Sequence, residues 1–428
     1  MVWAWPSGME FPVFLTTTVR NAGFEHMLSM LRTQNAAKID VVAPATALRA
    51  RGGAVELSGI EPVVDDHGVT LVDGLYVPTA AADATIAAKL GIGSKYLRFM
   101  RTERPDLFDA NVNGLLHGKS KRGADGTVTT IHPADSRSFL LRLFRGQDGE
   151  AGVLRALLSD RFGMVDNLDL LTAVLDGIRQ ADAQVEIRSC DLTDSSMHCK
   201  VYSPTVERLA PQLLAGYRNP FANPELEAER QRVTTDLDTG RRLAAAEGQG
   251  YQPGSEPVVF AGFRFSNSEV GSGSVTLKPE LFVRICRNGL TLPALAFRKV
   301  HLGQRMEGGT ISWSQDTVKK QLDVIAAQAR DHVREWLSPA FLARQVATLE
   351  EQAGAPVTEP QATVQVLGRE LGFTEAEREG VLRHFIAAAQ PTAAGIAHAI
   401  TSYSQTVADP ARADTLDDLA LRAMALVR

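Results

Sequence analysis

Between Gln184 and Leu337 the sequence lays out a run of strands followed by one long amphipathic helix. Gln184–Leu192 and Ser196–Tyr202 alternate apolar and polar residues on either side of Thr193-Asp194-Ser195, which is the period of a half-buried strand. Pro257–Phe265 and Ser274–Cys286 repeat that signal around a Gly/Ser-rich turn, Asn267–Ser274. Asn288-Gly289 then suits a two-residue hairpin, where both central residues need positive φ, and Leu290–Phe297 returns. After a Gly-rich loop, Gln315–Leu337 carries Val318, Leu322, Ile325, Ala329, Val333 and Trp336 on one stripe, with Lys319, Lys320, Arg330 and Arg334 off it. The fold class implied is α+β: an antiparallel β-sheet with a long backing helix, flanked by helical N-terminal and C-terminal regions.

The flanks divide the chain into three. Residues 1–75 read as a small α+β element, with a helix over Phe24–Ala37 and hairpins at Leu48–Leu57 and Val63–Val72. Residues 76–340 form the α+β core, interrupted by a polar insertion over 205–255 with one helix near Glu225–Leu243. Residues 341–428 are Ala-rich and helical, with Thr374 and Glu377 as a capping box and a last helix from Thr415 to Val427. Inside the core, Val153–Leu158 and Asn167–Gln180 are expected as a helix pair, with Asp166 and Asp169 capping the second. Ala84 to Leu97 has helix-turn-helix spacing around Gly91, and Lys95, Arg98 and Arg101 lie on the polar side of its second helix. Gly118–Gly123 adds a basic loop.

Composition narrows the function classes. The chain has 428 residues, 44% hydrophobic and 22% charged, enough for a sizeable core. A net charge of −5 argues against coating nucleic acid by bulk electrostatics, so any grip on phosphate needs a local basic strip. Three cysteines, Cys190, Cys199 and Cys286, argue against a secreted disulfide framework. The first residues lack a basic leader, and no apolar run approaches the ~20 residues of a membrane span, so a cytoplasmic protein with no membrane partner is expected.

Signs of catalysis are sparse. There is no Gly-x-Ser-x-Gly elbow and no His-Glu-x-x-His helix. Cys190, His198 and Cys199 lack CxxC spacing, and Asp166 and Asp169, imaginable with Asp160 around magnesium, read as helix caps. No catalytic residue, metal or cofactor is expected.

Three segments carry a family likeness: Leu158-Ser159-Asp160-Arg161-Phe162 with Asp166-Asn167, then Phe265 to Gly273, then Arg284-Ile285-Cys286-Arg287-Asn288-Gly289. In this order they resemble the marker segments of the phage/plasmid-like family called domain of unknown function 932. Gly395 to Thr401 is similar to that family's C-terminal helix. The resemblance runs from about Ala80 to the end and implies a mobile genetic element. The order hairpin, hairpin, long basic helix is also similar, by topology alone, to the core of single-strand annealing recombinases.

The candidate surface follows from the basic residues around the strands. Arg284, Arg287, Arg298, Lys299 and Arg305, with Lys319 and Lys320 of the long helix, are expected to line a groove that tracks phosphates. Phe265 and Trp313, with Phe263, would stack bases, and Lys95 and Arg98 form a second candidate contact. Asn267, Glu269, Gly271 and Gly273 read as a structural turn, and Asn288 and Gly289 as another; the former is also open to an anion-binding nest. The expected partner is DNA, single-stranded before duplex, bound for annealing during recombination, with a homo-oligomer continuing the groove. Alternatives are a structural or regulatory factor engaging a protein through the C-terminal helices, a duplex binder using residues 83–101, and a metal-dependent nuclease.

Overall fold

The computed structural model describes residues 18–65, 68–122, 127–146, 150–222, 226, 258–283, 289–299, 309–310 and 315–427. In chain order, β1 (Val19–Ala22) and α1 (Phe24–Ala37) lead into β2 (Lys38–Pro44), β3 (Leu48–Arg51) and β4 (Ala54–Leu57). A small hairpin of β5 (Val63–Asp65) and β6 (Gly68–Thr70) precedes β7 (Gly74–Pro78). Three helices follow: α2 (Ala80–Leu90), α3 (Ser94–Glu103) and α4 (Pro105–His117). Next come the hairpin β8 (Lys119–Arg122) and β9 (Val128–His132), then β10 (Ser138–Phe144), β11 (Gly152–Ser159) and α5 (Asn167–Ala181).

The second half contains β12 (Glu186–Leu192), β13 (Met197–Leu209), β14 (Val258–Asn267) and β15 (Val275–Val283). The short strands β16 (Gly289–Thr291), β17 (Phe297–Lys299) and β18 (Gly309–Thr310) complete the β structure. The long helix α6 (Gln315–Trp336) is followed by α7 (Pro339–Ala353), α8 (Pro360–Leu371), α9 (Glu375–Ala388), α10 (Ala393–Ser404) and α11 (Pro410–Leu426).

These strands build two large sheets. The first runs β1-β12-β13-β14-β15-β16 with β17 on the far half of β15, all antiparallel. Its alternation sends Cys199, Val201, Phe263, Phe265 and Leu277 into the core under α5 and α6, where Ile325, Ala329, Val333 and Trp336 form the buried stripe. Gly177 lets α5 and α6 meet closely: a Cβ there would stand 2.6 Å from the Ala326 carbonyl oxygen. The opposite face presents His198, Lys200, Arg264, Lys278 and Glu280 to α11. The expected α+β fold, antiparallel sheet and long backing helix are thus present.

The second sheet, β18-β2-β10-β11-β7-β4-β3, corrects two expectations. Val153–Leu158 is strand β11, because a run buried on both faces carries no alternation to tell strand from helix. The boundary at residue 75 cuts through this sheet, since β2, β3 and β4 share it with β10 and β11. One face of the sheet packs on α2, α3 and α4, and the other meets the turn after β14 through Val42, Leu140, Leu158 and Val270. The hairpin at Gly52-Gly53, the β5–β6 hairpin and the Thr374–Glu377 capping box form where expected. The insertion helix near Glu225–Leu243 lies outside the described residues.

Candidate nucleic-acid interface

The basic groove anticipated along the strands is not assembled by the described residues. Phe265 is fully buried beside Phe263, so no base can stack on it. Phe297 turns its ring toward His332 on α6, so its neighbour Arg298, opposite Thr276, turns to the other face of the sheet. Lys319 and Lys320 are exposed on α6, and Lys320 pairs with Asp316 one turn back. The sheet therefore separates Arg298 from the two lysines. Arg284, Arg287, Asn288, Arg305, Trp313 and the side chain of Lys299 lie outside the described residues.

The turn after β14 is a fastening between the sheets. Asn267 donates to the Val165 carbonyl (2.8 Å) and to Asn167 Oδ1 (2.9 Å). Glu269 accepts from Arg155 and from the backbone N–H of Asn167, and its carbonyl accepts from Arg142 (3.0 Å). Gly271, with φ +79°, passes so close to Leu158 that a Cβ would stand 2.8 Å from Leu158 Cδ2. Gly273 and Gly289 continue into strands β15 and β16, and Ser268 Oγ takes the Ser272 N–H that an anion nest would need. Asp166 occupies the N-cap of α5 without capping it. Burial alone would raise its pKa, but Arg142 and Lys38 hold its carboxylate far below the ordinary range. The cap comes instead from Glu269, distant in sequence.

Cys190 and Cys199 face each other across β12 and β13 as buried free thiols. His198 turns to the opposite face, toward Asp414 at 3.6 Å, so the three do not converge. Among the described residues no helix is long and apolar enough to cross a membrane.

The exposed candidate surface is the helix pair and the hairpin after it. Gly91 in the left-handed region ends α2, and α3 buries Leu97 and Met100 against the second sheet. Arg101 clamps the fully buried Asp83 through two bonds of 2.7 and 2.8 Å. Arg98 reaches the same carboxylate at 3.6 Å and donates to the Ala80 carbonyl. Arg101 thus holds α2 to α3, while Lys95 and the half-exposed Arg98 both stay open to solvent.

Beside Lys95 the outer face of α3 presents Tyr96 and Phe99, 57% and 56% exposed. One helical turn separates them, so their side chains are neighbours. Each leaves a little over half of its surface in water, so a partner that covered the pair would gain burial energy there. The β8–β9 hairpin follows α4, with Lys119, Lys121, Val128 and Ile131 exposed. The segment after it is tied to the last turns of α4 and α2. The backbone N–H of Asp135 donates to the Leu116 carbonyl, while Arg137 pairs with Asp135 (2.6 Å) and donates to the Lys89 carbonyl (2.8 Å). That hydrogen-bonded arginine holds the Asp135 carboxyl below its usual range.

Reading the sequence as a helix-turn-helix found Lys95 but passed over Tyr96 and Phe99. The available signal was two aromatics three residues apart, off the stripe of Leu97 and Met100. Comparison of the chain with protein-family models, with curated proteins and with solved structures gives no match in any of the three, so the functional reading rests on the geometry of this surface.

Proposed function

We propose that the protein binds single-stranded nucleic acid on the outer face of α3 and the β8–β9 hairpin. The observation that carries this reading is the exposed Tyr96–Phe99 pair beside Lys95 on α3, with Lys119 and Lys121 exposed on the hairpin that follows α4. Every base has a π-face, so aromatic stacking holds a strand without reading its sequence, while lysines track the phosphates. Lys95 supplies a positive charge next to the aromatic pair, and Lys119 and Lys121 supply two more on the hairpin, on a chain whose net charge is −5. Strand annealing in the recombination of a phage or plasmid is the setting that the family likeness suggests, and it needs no catalytic group.

A duplex reading places α3 in the major groove. It is disfavoured because Arg101 is clamped by Asp83, which leaves Arg98 as the one exposed arginine of α3 for base edges. Fluorescence anisotropy with a labelled oligo(dT) and a duplex of equal length decides between them. Tyr96→Ala/Phe99→Ala is expected to weaken oligo(dT) binding by about tenfold or more, since stacking is worth roughly 1–3 kcal/mol per base. Folding should change by less than about 0.5 kcal/mol because both side chains are exposed. Lys119→Ala/Lys121→Ala should flatten the salt dependence of log K by about 1.4, at roughly 0.7 per phosphate contact. Equal binding by the aromatic variant and the wild type, or a preference for duplex, would refute the reading.

A further inference from the structure

The sheet face under α11 carries a row of like charges. Lys200 on β13 is directly opposite Arg264 on β14, and Arg264 is directly opposite Lys278 on β15. Strands lie about 4.8 Å apart, so three cations occupy about 10 Å of sheet, an arrangement that is unfavourable without anions to separate them. Arg298 on β17 stands on the same face, opposite Thr276 and exposed, and extends the positive track to the rim.

The anions come mainly from α11. Asp414, Asp417 and Asp418 are spaced to share one helical face, and they meet the row in sequence. Asp417 contacts Lys200 (3.1 Å) and Arg264 (3.0 Å), Asp414 contacts Arg264 and Lys278 (3.1 Å), and Asp418 contacts Lys278 (2.7 Å). From the sheet itself Glu280 reaches Arg264 (3.1 Å) and Lys200 (3.8 Å), while His198 faces Asp414. The fit is incomplete. Arg264 Nε, Glu280 Oε2 and Asp418 Oδ1 are buried without a hydrogen-bond partner among the described residues. Leu416, Ala420, Ala423 and Met424 hold the other side of α11 in the core, so the covered state dominates.

We propose that α11 is an internal stand-in for a chain of phosphates, covering a second polyanion site that a bound strand takes over when the helix lifts. Resting on the single-strand reading above, this makes the carboxylates of α11 an autoinhibitory contact. The phosphates of a strand entering past Arg298 would replace Asp414, Asp417 and Asp418 on Lys278, Arg264 and Lys200 with no change in the count of ion pairs.

Hydrogen–deuterium exchange of the full chain tests it, with saturating oligo(dT) in one arm and inorganic polyphosphate in the other. Amides of residues 410–426 are expected to exchange at least tenfold faster in both arms. Asp417→Asn/Asp418→Asn, if it folds, should bind oligo(dT) about tenfold more tightly than wild type. The wild-type exchange decides if it does not fold. Oligo(dT) that binds through Tyr96 and Phe99 yet leaves α11 protected overturns the proposal while the single-strand reading stands. Release of α11 by polyphosphate alone supports the covered site and removes the single-strand reading. Unchanged protection in both arms overturns the proposal outright.

Discussion

Arg142→Ala is expected to cost about 3–5 kcal/mol of stability, the largest effect of any single substitution at the junction of the two sheets. Arg142 is fully buried on β10 and makes bonds of 2.8 and 3.0 Å to Asp40, one to Asp166 and one to the Glu269 carbonyl. Burial lowers its pKa, but the carboxylates of Asp40, Asp166 and Glu269 outweigh that and hold it well above the ordinary guanidinium value. Removing the guanidinium strands Asp40 and Asp166 without their main counter-ion, and that stranded charge, more than the lost attraction, sets the size of the effect. Urea denaturation at pH 7 reads the loss. Arg142→Met/Asp40→Asn should recover part of it, because the double change removes a carboxylate along with its partner. Melting of Arg142→Ala like the wild type would mean that the network does not hold the sheets together.

That junction also explains why the sequence was legible in parts. Phe24–Ala37, the turn at Gly52-Gly53, the capping box of Thr374 and Glu377 and the stripe of α6 are fixed by residues within a few positions of each other, and each forms as read. Arg142 meets Asp40 and Glu269 across 102 and 127 residues, which no local pattern encodes. The Lys200–Arg264–Lys278 row depends on the register of three strands, and a slip of one residue would turn each cation to the other face. Phe265 failed as a base-stacking candidate for the same reason, because its face is decided by register. Tyr96 and Phe99 became informative only once Leu97 and Met100 were seated on the second sheet and the outer side of α3 was left in water. Two of the segments singled out in the sequence, around Asp166 and around Glu269, meet in the fastening itself. Their residue pattern follows from holding two sheets together and assigns no ligand.

Acidification from pH 7 to pH 5 is expected to remove about 4 kcal/mol of stability, about 2 kcal/mol from each of two histidines in the C-terminal helices. His384 and His398 are fully buried, and burial lowers the pKa of each from 6.5 to about 4. His384 hydrogen-bonds Ser402 (2.7 Å) between the rings of Phe221 and Tyr403. His398 contacts the Leu213 carbonyl (3.0 Å) beside Tyr217. A histidine whose folded pKa lies below its unfolded one binds more protons when unfolded, so its contribution is complete above pH 6.5 and is lost as pH falls toward 4. Asp166 and Asp414 are held far below the usual carboxylate range by Arg142 and Arg264 despite their burial, so their loss begins at lower pH. Asp169 and Asp418, raised by burial and a neighbouring carboxylate, act in the opposite direction and relieve strain as they protonate. Urea midpoints measured at pH 7, 6 and 5 follow the histidines. His384→Gln/His398→Gln should flatten that profile even if it lowers stability at pH 7, because glutamine cannot take up the proton. A wild-type midpoint that holds steady to pH 5, or an equally steep fall in the double variant, would place the acid sensitivity elsewhere.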